Sequence, residues 1–234
     1  MLVPMTTDAS DGGPGAPPTV HSLHVLAEHV LGAGLYAATG HIGLQVVPGG
    51  FATPAAAEAQ LGGRFAIVGG SLAIIRPDGS HDRSPVTTVA DAATFFGVVA
   101  GMPPSVYRPA TELVLDVALE VDPDVAERVG VWFVLGDEAL ERFASAHAGD
   151  DPGGRTLWPE HFDLGLAMAE VNYGVSPGDE LHVEPYLYVG PWTPRAGAFW
   201  NEPFGASVPA SAVTSIDDAL AFFTEGHARA AESA

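Results

Sequence analysis

Residues 87–96, TTVADAATFF, are answered by residues 214–223, TSIDDALAFF, with Thr, Asp, Ala and both Phe kept and Val replaced by Ile. Each window reads as the start of a helix, because Thr88 stands three residues before Asp91 and Ser215 three before Asp218. That spacing lets a hydroxyl cap the free backbone N–H groups of a first turn. Working outward, HIGL at 41–44 precedes the first window and HFDL at 161–164 precedes the second by a similar distance. Each half then reads as a long helix, a strand beginning with His, further strands and a closing helix. The expected fold is α+β: pseudo-duplicated helix-strand-hairpin-helix halves at 20–101 and 122–230, with a largely antiparallel sheet and helices packed on one face. The halves would form a single globular domain over 20–230.

The local signals within the halves are clear. In TVHSLHVLAEHVLGAGLYAATG, from Thr19, the residues Val20, Leu23, Leu26, Ala27, Val30 and Leu31 gather on one helical stripe, and His21, His24 and Glu28 take a polar side that reads as solvated. HIGLQVV alternates as a strand does, and GRFAIVGGSLAIIRPDG gives two β-rich runs turning at Gly69-Gly70. Thr88 opens a helix to about Val99. Residues from Met102 read as irregular, until Asp122-Pro123 supplies an N-cap and a first-turn proline for a helix to about His147. TLWPEHFDLGLAM (156–168) reads as one strand, EVNYGVSPGD as a loop by its Asn, Gly, Pro and Asp, and Leu181 to Val189 as the next strand.

Composition narrows the functions. With 234 residues and 47% hydrophobic content the chain can bury an ordinary core. All nine basic residues are arginine, against 29 acidic residues, for a formal charge of -20. Such a surface repels phosphate backbones and anionic lipid, so neither nucleic acid nor membrane is an expected partner. Absent cysteine excludes disulfides, thiolate metal sites and a cysteine nucleophile. Residues 1–19, rich in Gly, Pro, Asp and Thr, read as a disordered tail without a leader's basic and apolar regions, and a cytoplasmic location is the default expectation.

The candidate site follows from strand alternation. On the period of two, His161 and Asp163 share a side, as do His182, Glu184, Tyr186 and Tyr188, and pairing of the two strands would bring both polar sides together. Two imidazoles and two carboxylates suit a divalent metal, with His161, Asp163, His182 and Glu184 as ligands. They equally suit acid–base catalysis by the same four residues, His161 as base, Asp163 orienting it, and His182 and Glu184 opposite. The same alternation is also what a sheet shows with one face on the core and the other in water. Tyr186, Tyr188, Trp192 and Trp200 would wall a ligand pocket, and Asn172 and Tyr173 would reach it from the intervening loop. GGFATPAAAEAQLGG lacks both the dinucleotide and the P-loop spacing, so no nucleotide motif is present.

LWPEHFDLGLAM, VNYGVSPGD, EPYLYVGPW, FWNEPFGA and ALAFFTEGHARAA together resemble a family of uncharacterised actinobacterial proteins, and the order of elements is distantly similar to a bacterial domain of unknown function. The resemblance covers about His21 to Arg229. It implies a shared fold and brings with it no activity or catalytic residue. Two functions are therefore expected: binding of a small molecule in a polar and aromatic pocket on the second-half sheet, with or without metal-assisted or acid–base catalysis, or a non-catalytic structural or interaction role as a homodimer through the aromatic segment 192–204.

Overall fold

The computed structural model describes residues 17–180 and 182–232. The expected tail lies outside the described residues except at its end, where Pro18 and Thr19 already belong to the first helix. In chain order the elements are α1 (Pro18–Leu26), a π-helical turn (Ala27–Gly32) and α2 (Ala33–Thr39), then β1 (Gln45–Val47), β2 (Gly50–Ala52), the short α3 (Glu58–Leu61), β3 (Arg64–Val68), β4 (Ser71–Ile75), β5 (His81–Pro85) and α4 (Val89–Phe96). The second half follows with α5 (Pro123–Ala146), β6 (Thr156–Trp158), β7 (Asp163–Met168), β8 (Val171–Ser176), β9 (Tyr186–Pro191), β10 (Ala206–Pro209) and α6 (Ile216–Ala231). The fold is α+β.

Capping residues act where the sequence places them. Asp122 accepts from the N–H groups of Asp124 and Val125, and Pro123 fills the first turn of α5. Thr88 accepts from Asp91 N–H while Thr87 donates to the Asp91 carboxylate. Ser215, Thr214 and Asp218 repeat this arrangement at α6. Phe96 and Phe223, the last residues of the two matching windows, are both buried.

Each half contributes a five-stranded antiparallel meander, β1-β2-β3-β4-β5 and β10-β9-β8-β7-β6. The first strands of the two sheets meet edge to edge, where Leu44 and Leu157 exchange both backbone hydrogen bonds at 2.9 and 3.0 Å. Counted outward from this pair by strand register, Gly50-Phe51-Ala52 takes the position in the first sheet that His161-Phe162-Asp163 takes in the second, while HIGL ends at Leu44 itself. The rings of Phe51 and Phe162 touch edge to face across the junction at 5.3 Å.

Helix α5 covers this junction, packing on β1, β2 and β3 of one sheet and β7 and β8 of the other. It can lie so close because two of its residues lack a Cβ: at Gly130 one would strike the backbone of Gly49, and at Gly136 the side chain of Val175. Trp132 on the same helix donates to the carbonyl of Ser176 at 2.8 Å. One continuous core results, holding Leu44, Phe51, Phe65, Phe133, Phe143, Leu164, Tyr173 and Phe223 from both halves.

Two local readings are overturned. The stretch 156–168 is a hairpin of two strands, because Phe162 takes a left-handed backbone (φ 51°) in the turn that begins at Pro159. EVNYGVS contains strand β8, joined to β7 by a two-residue turn at Ala169-Glu170 with positive φ at both. Such turns usually carry Asn or Gly, so this one leaves no mark in the sequence, whereas Asn172 and Gly174 inside the strand imitate one.

Candidate functional site

Helices cover one face of the second sheet, and its other face forms the floor of a cavity of about 1290 Å³. Asp163, Asn172, Tyr186 and Tyr188 stand on that floor, His161 and Trp192 line its edges, and Trp158, Glu160, Asp179 and Phe204 complete the wall.

The arrangement rests on one row of residues. Gly165, Gly174 and Tyr188 lie side by side on β7, β8 and β9. A Cβ at Gly165 would come within 2.7 Å of the Tyr188 hydroxyl, and one at Gly174 would overlap the ring. The tyrosine thus lies flat across two glycines and reaches from β9 over β8 to β7, where its hydroxyl donates to Asp163 Oδ2. Asp163 Oδ1 is buried and meets no protein donor. Burial is the main reason that its carboxyl sits above the ordinary range, with nearby Glu160 adding to the effect and Tyr188 and His161 opposing it. Tyr188 is in turn pushed well up, first by burial and then by the Asp163 charge.

Tyr186 flanks this pair, only 8% exposed, and donates to Asp179 Oδ2 at 2.6 Å. Burial and Asp179 hold its hydroxyl above the ordinary value. At the opposite end the Trp192 indole, 62% exposed, donates to Asn172 Oδ1 at 3.1 Å. Glu160 adds a second carboxyl oxygen, Oε2, that is buried without a donor. It lies in the turn that His24 of α1 secures, through a 2.9 Å bond from Nε2 to Pro159 O and stacking on Phe162. Burial lowers the His24 imidazole from 6.5 to about 4, so the ring is neutral near pH 7.

The expected four-residue cluster does not assemble. Strand β8 lies between β7 and β9, and His182 and Glu184 precede β9 on a loop. His182 bonds Glu202 at 2.9 Å and packs on Tyr186 and Phe204, bracing the wall from behind. Glu184 is exposed and accepts from Ser211 N–H, and its carboxyl is lowered by hydrogen bonding to the Ser211 side chain first and its backbone second. His161 lies in the turn before β7, exposed at the cavity edge. Among the described residues no group of three or more His, Cys, Asp or Glu side chains is placed to hold a metal ion, so the ligand set His161, Asp163, His182 and Glu184 is corrected.

Two further residues lie elsewhere. Tyr173 is on the helix-covered face, fully buried, with its hydroxyl 3.0 Å from His227 Nδ1. Trp200 packs against the core beside Phe199, whose ring meets Phe222 at a tilt of 33°. Within segment 192–204 the rings of Phe199 and Trp200 are thus engaged inside the chain, leaving Trp192 and Phe204 exposed at the cavity wall.

Glu28, expected on a solvated face, is 0% exposed. Residues 110 and 111 cover this side of the helix, and the Glu28 carboxylate accepts from Ala110 N–H, Thr111 N–H and the Thr111 hydroxyl at 2.9, 2.9 and 2.6 Å. Next to it His29 donates from Nε2 to Thr111 O, and Met102 N–H donates to Nδ1. These bonds pin residues 110 and 111, which line the far end of the cavity.

Fold and site together define an α+β protein with a polar, aromatic cavity on the uncovered face of an antiparallel sheet. Comparison with protein-family models, curated proteins and solved structures returns no match. No helix among the described residues is long and apolar enough to cross a membrane.

Proposed function

We propose that this chain binds a small organic molecule on the outer face of its second sheet, with Asp163 and Tyr188 at the centre of the contact surface. The observation that carries this reading is the Asp163 carboxyl, on a residue that lines the cavity: one oxygen is held by Tyr188 and the other is buried with no donor. Leaving a buried acceptor unmet costs about 1–3 kcal/mol, more when it is charged, and a ligand donor would recover that energy. The aromatic side chains around it supply apolar area at little conformational cost, and the volume exceeds the roughly 300–1,000 Å³ of common ligand pockets.

A thermal-shift screen of metabolites against the wild type, Asp163→Asn and Tyr188→Phe tests the reading. A true ligand at a hundred times its Kd adds about 2.7 kcal/mol to the folded state and raises Tm by several degrees. The gain is expected to shrink in both variants. A ligand that stabilises all three proteins equally, or a screen in which no compound shifts the wild type, counts against it.

A further inference from the structure

The charge around this cavity narrows the ligand class, on the premise that the cavity is a ligand site. Two carboxyl oxygens, Asp163 Oδ1 and Glu160 Oε2, are buried there without donors, and the two groups are near enough for Glu160 to act on Asp163 electrostatically. Asp179 and Glu180 add further carboxyls to the same wall. No arginine lines the cavity among the described residues, and the chain contains no lysine. Arg76, Arg142, Arg155 and Arg229 are engaged with Asp82, Glu138, Asp137 and Glu225 elsewhere. Of the histidines at the cavity, the one that stacks on Phe162, His24, is held neutral by burial.

Around these carboxyls stand Trp158, the cross-strand neighbour of Asp163, together with Tyr186, Tyr188, Phe204 and Trp192. Aromatic faces attract cations through their quadrupoles, most strongly where water is excluded, and the net charge of -20 draws cations toward the protein. A carboxylate or phosphate ligand would find no arginine or lysine here among the described residues, only the imidazoles of His21 and His161 at the cavity edge. A neutral ligand could donate to the two orphan oxygens but would bring no positive charge to a wall that carries four carboxyl groups.

We infer that the ligand carries an organic ammonium group, which donates to Asp163 and Glu160 and rests against the surrounding aromatic rings.

Three probes of nearly equal shape separate the classes: phenethylamine, 2-phenylethanol and phenylacetate, titrated into the full chain at low salt and followed by calorimetry and by the emission of Trp158 and Trp192. Phenethylamine is expected to bind at least about ten-fold more tightly than the alcohol, with phenylacetate the weakest. Asp163→Asn and, separately, Glu160→Gln should each reduce the ratio of amine to alcohol affinity several-fold, with near-ultraviolet circular dichroism confirming the fold of each. An alcohol that binds as well as the amine, or a preference for phenylacetate, overturns the ammonium inference while leaving the cavity a binding site. If no probe binds at millimolar concentration and the emission is unmoved, the inference and the binding-site reading fall together.

Discussion

The two sheets of this molecule are built to one order and face the same helix, yet their outer faces differ. Counting outward from the Leu44–Leu157 pair, the first sheet presents the row Ala52, Ala66 and Ala73 where the second presents Asp163, Ser176 and Tyr186. One row further on, Arg64 and Ile75 stand where the second sheet has Gly174 and Tyr188. The alanines are fully buried beneath Val47, Val68 and Ile75, which closes the first face as a small apolar cluster. On the second face the glycine removes bulk, the tyrosine lies down in the space, and a carboxyl is buried beneath a cavity. Side-chain volume at a few outward positions is enough to close one face and leave a cavity on the other, with the backbone pairing unchanged.

The largest expected effect comes from breaking the joint that makes the comparison valid. Phe162 is 1% exposed and touches Phe51, Phe133 and His24. Phe162→Ala should cost about 3–5 kcal/mol in a denaturant melt, and Phe51→Ala a loss in the same range. A cost below about 1 kcal/mol at either would mean that the two sheets do not depend on this contact.

Next in size is the exchange of one face's design for the other's. Gly174→Val drives a side chain into Tyr188 and should cost about 1–3 kcal/mol while parting the hydroxyl from Asp163. Its counterpart Arg64→Val, at a half-buried position beside the closed alanine row, loses a bond to the Thr53 carbonyl and should cost about 1 kcal/mol or less. Similar losses at the two positions would remove the contrast.

The pH response sharpens the role of α1 at the second sheet. Between pH 6.5 and about 4 the unfolded chain protonates His24 and the folded chain does not, so stability falls as pH falls through that window. His24→Gln should lose on the order of 1–2 kcal/mol less than the wild type across it, judged from melts at pH 7 and pH 4. Equal slopes would mean that the ring is solvated in the folded protein.

Smallest are the caps. Thr88→Ala and Ser215→Ala each remove a hydroxyl that accepts from a first-turn N–H, and each should cost about 1 kcal/mol. Closely matched values would support equivalence of α4 and α6; a several-fold difference would weaken it.

Much of the site was legible from alternation. Asp163, Tyr186 and Tyr188 do share one face, and Asn172, Trp192 and His161 do reach the same cavity. What alternation does not contain is the neighbour. A period of two states which side of a sheet a residue takes, and nothing about which strand lies beside it. Strand β8 was concealed because Gly174, present for the close approach of Tyr188, resembles a turn residue. Trp158 and Glu160 leave no such signal, because the turn between β6 and β7 continues the alternation of one strand.

The sequence by itself determined the four longer helical stretches, the caps of α4, α5 and α6, the Gly69-Gly70 hairpin and the α+β class, since those signals act over a few residues of chain. Only the tertiary structure decided that β8 separates β7 from β9, that His182 braces a wall instead of meeting Asp163, and that Glu28 turns inward. These outcomes depend on contacts between residues distant in the chain, such as the 25 positions between Asp163 and Tyr188 or the 83 between Glu28 and Thr111. Local propensity carries no record of such pairings; they follow from how buried faces and unmet polar groups can be satisfied together.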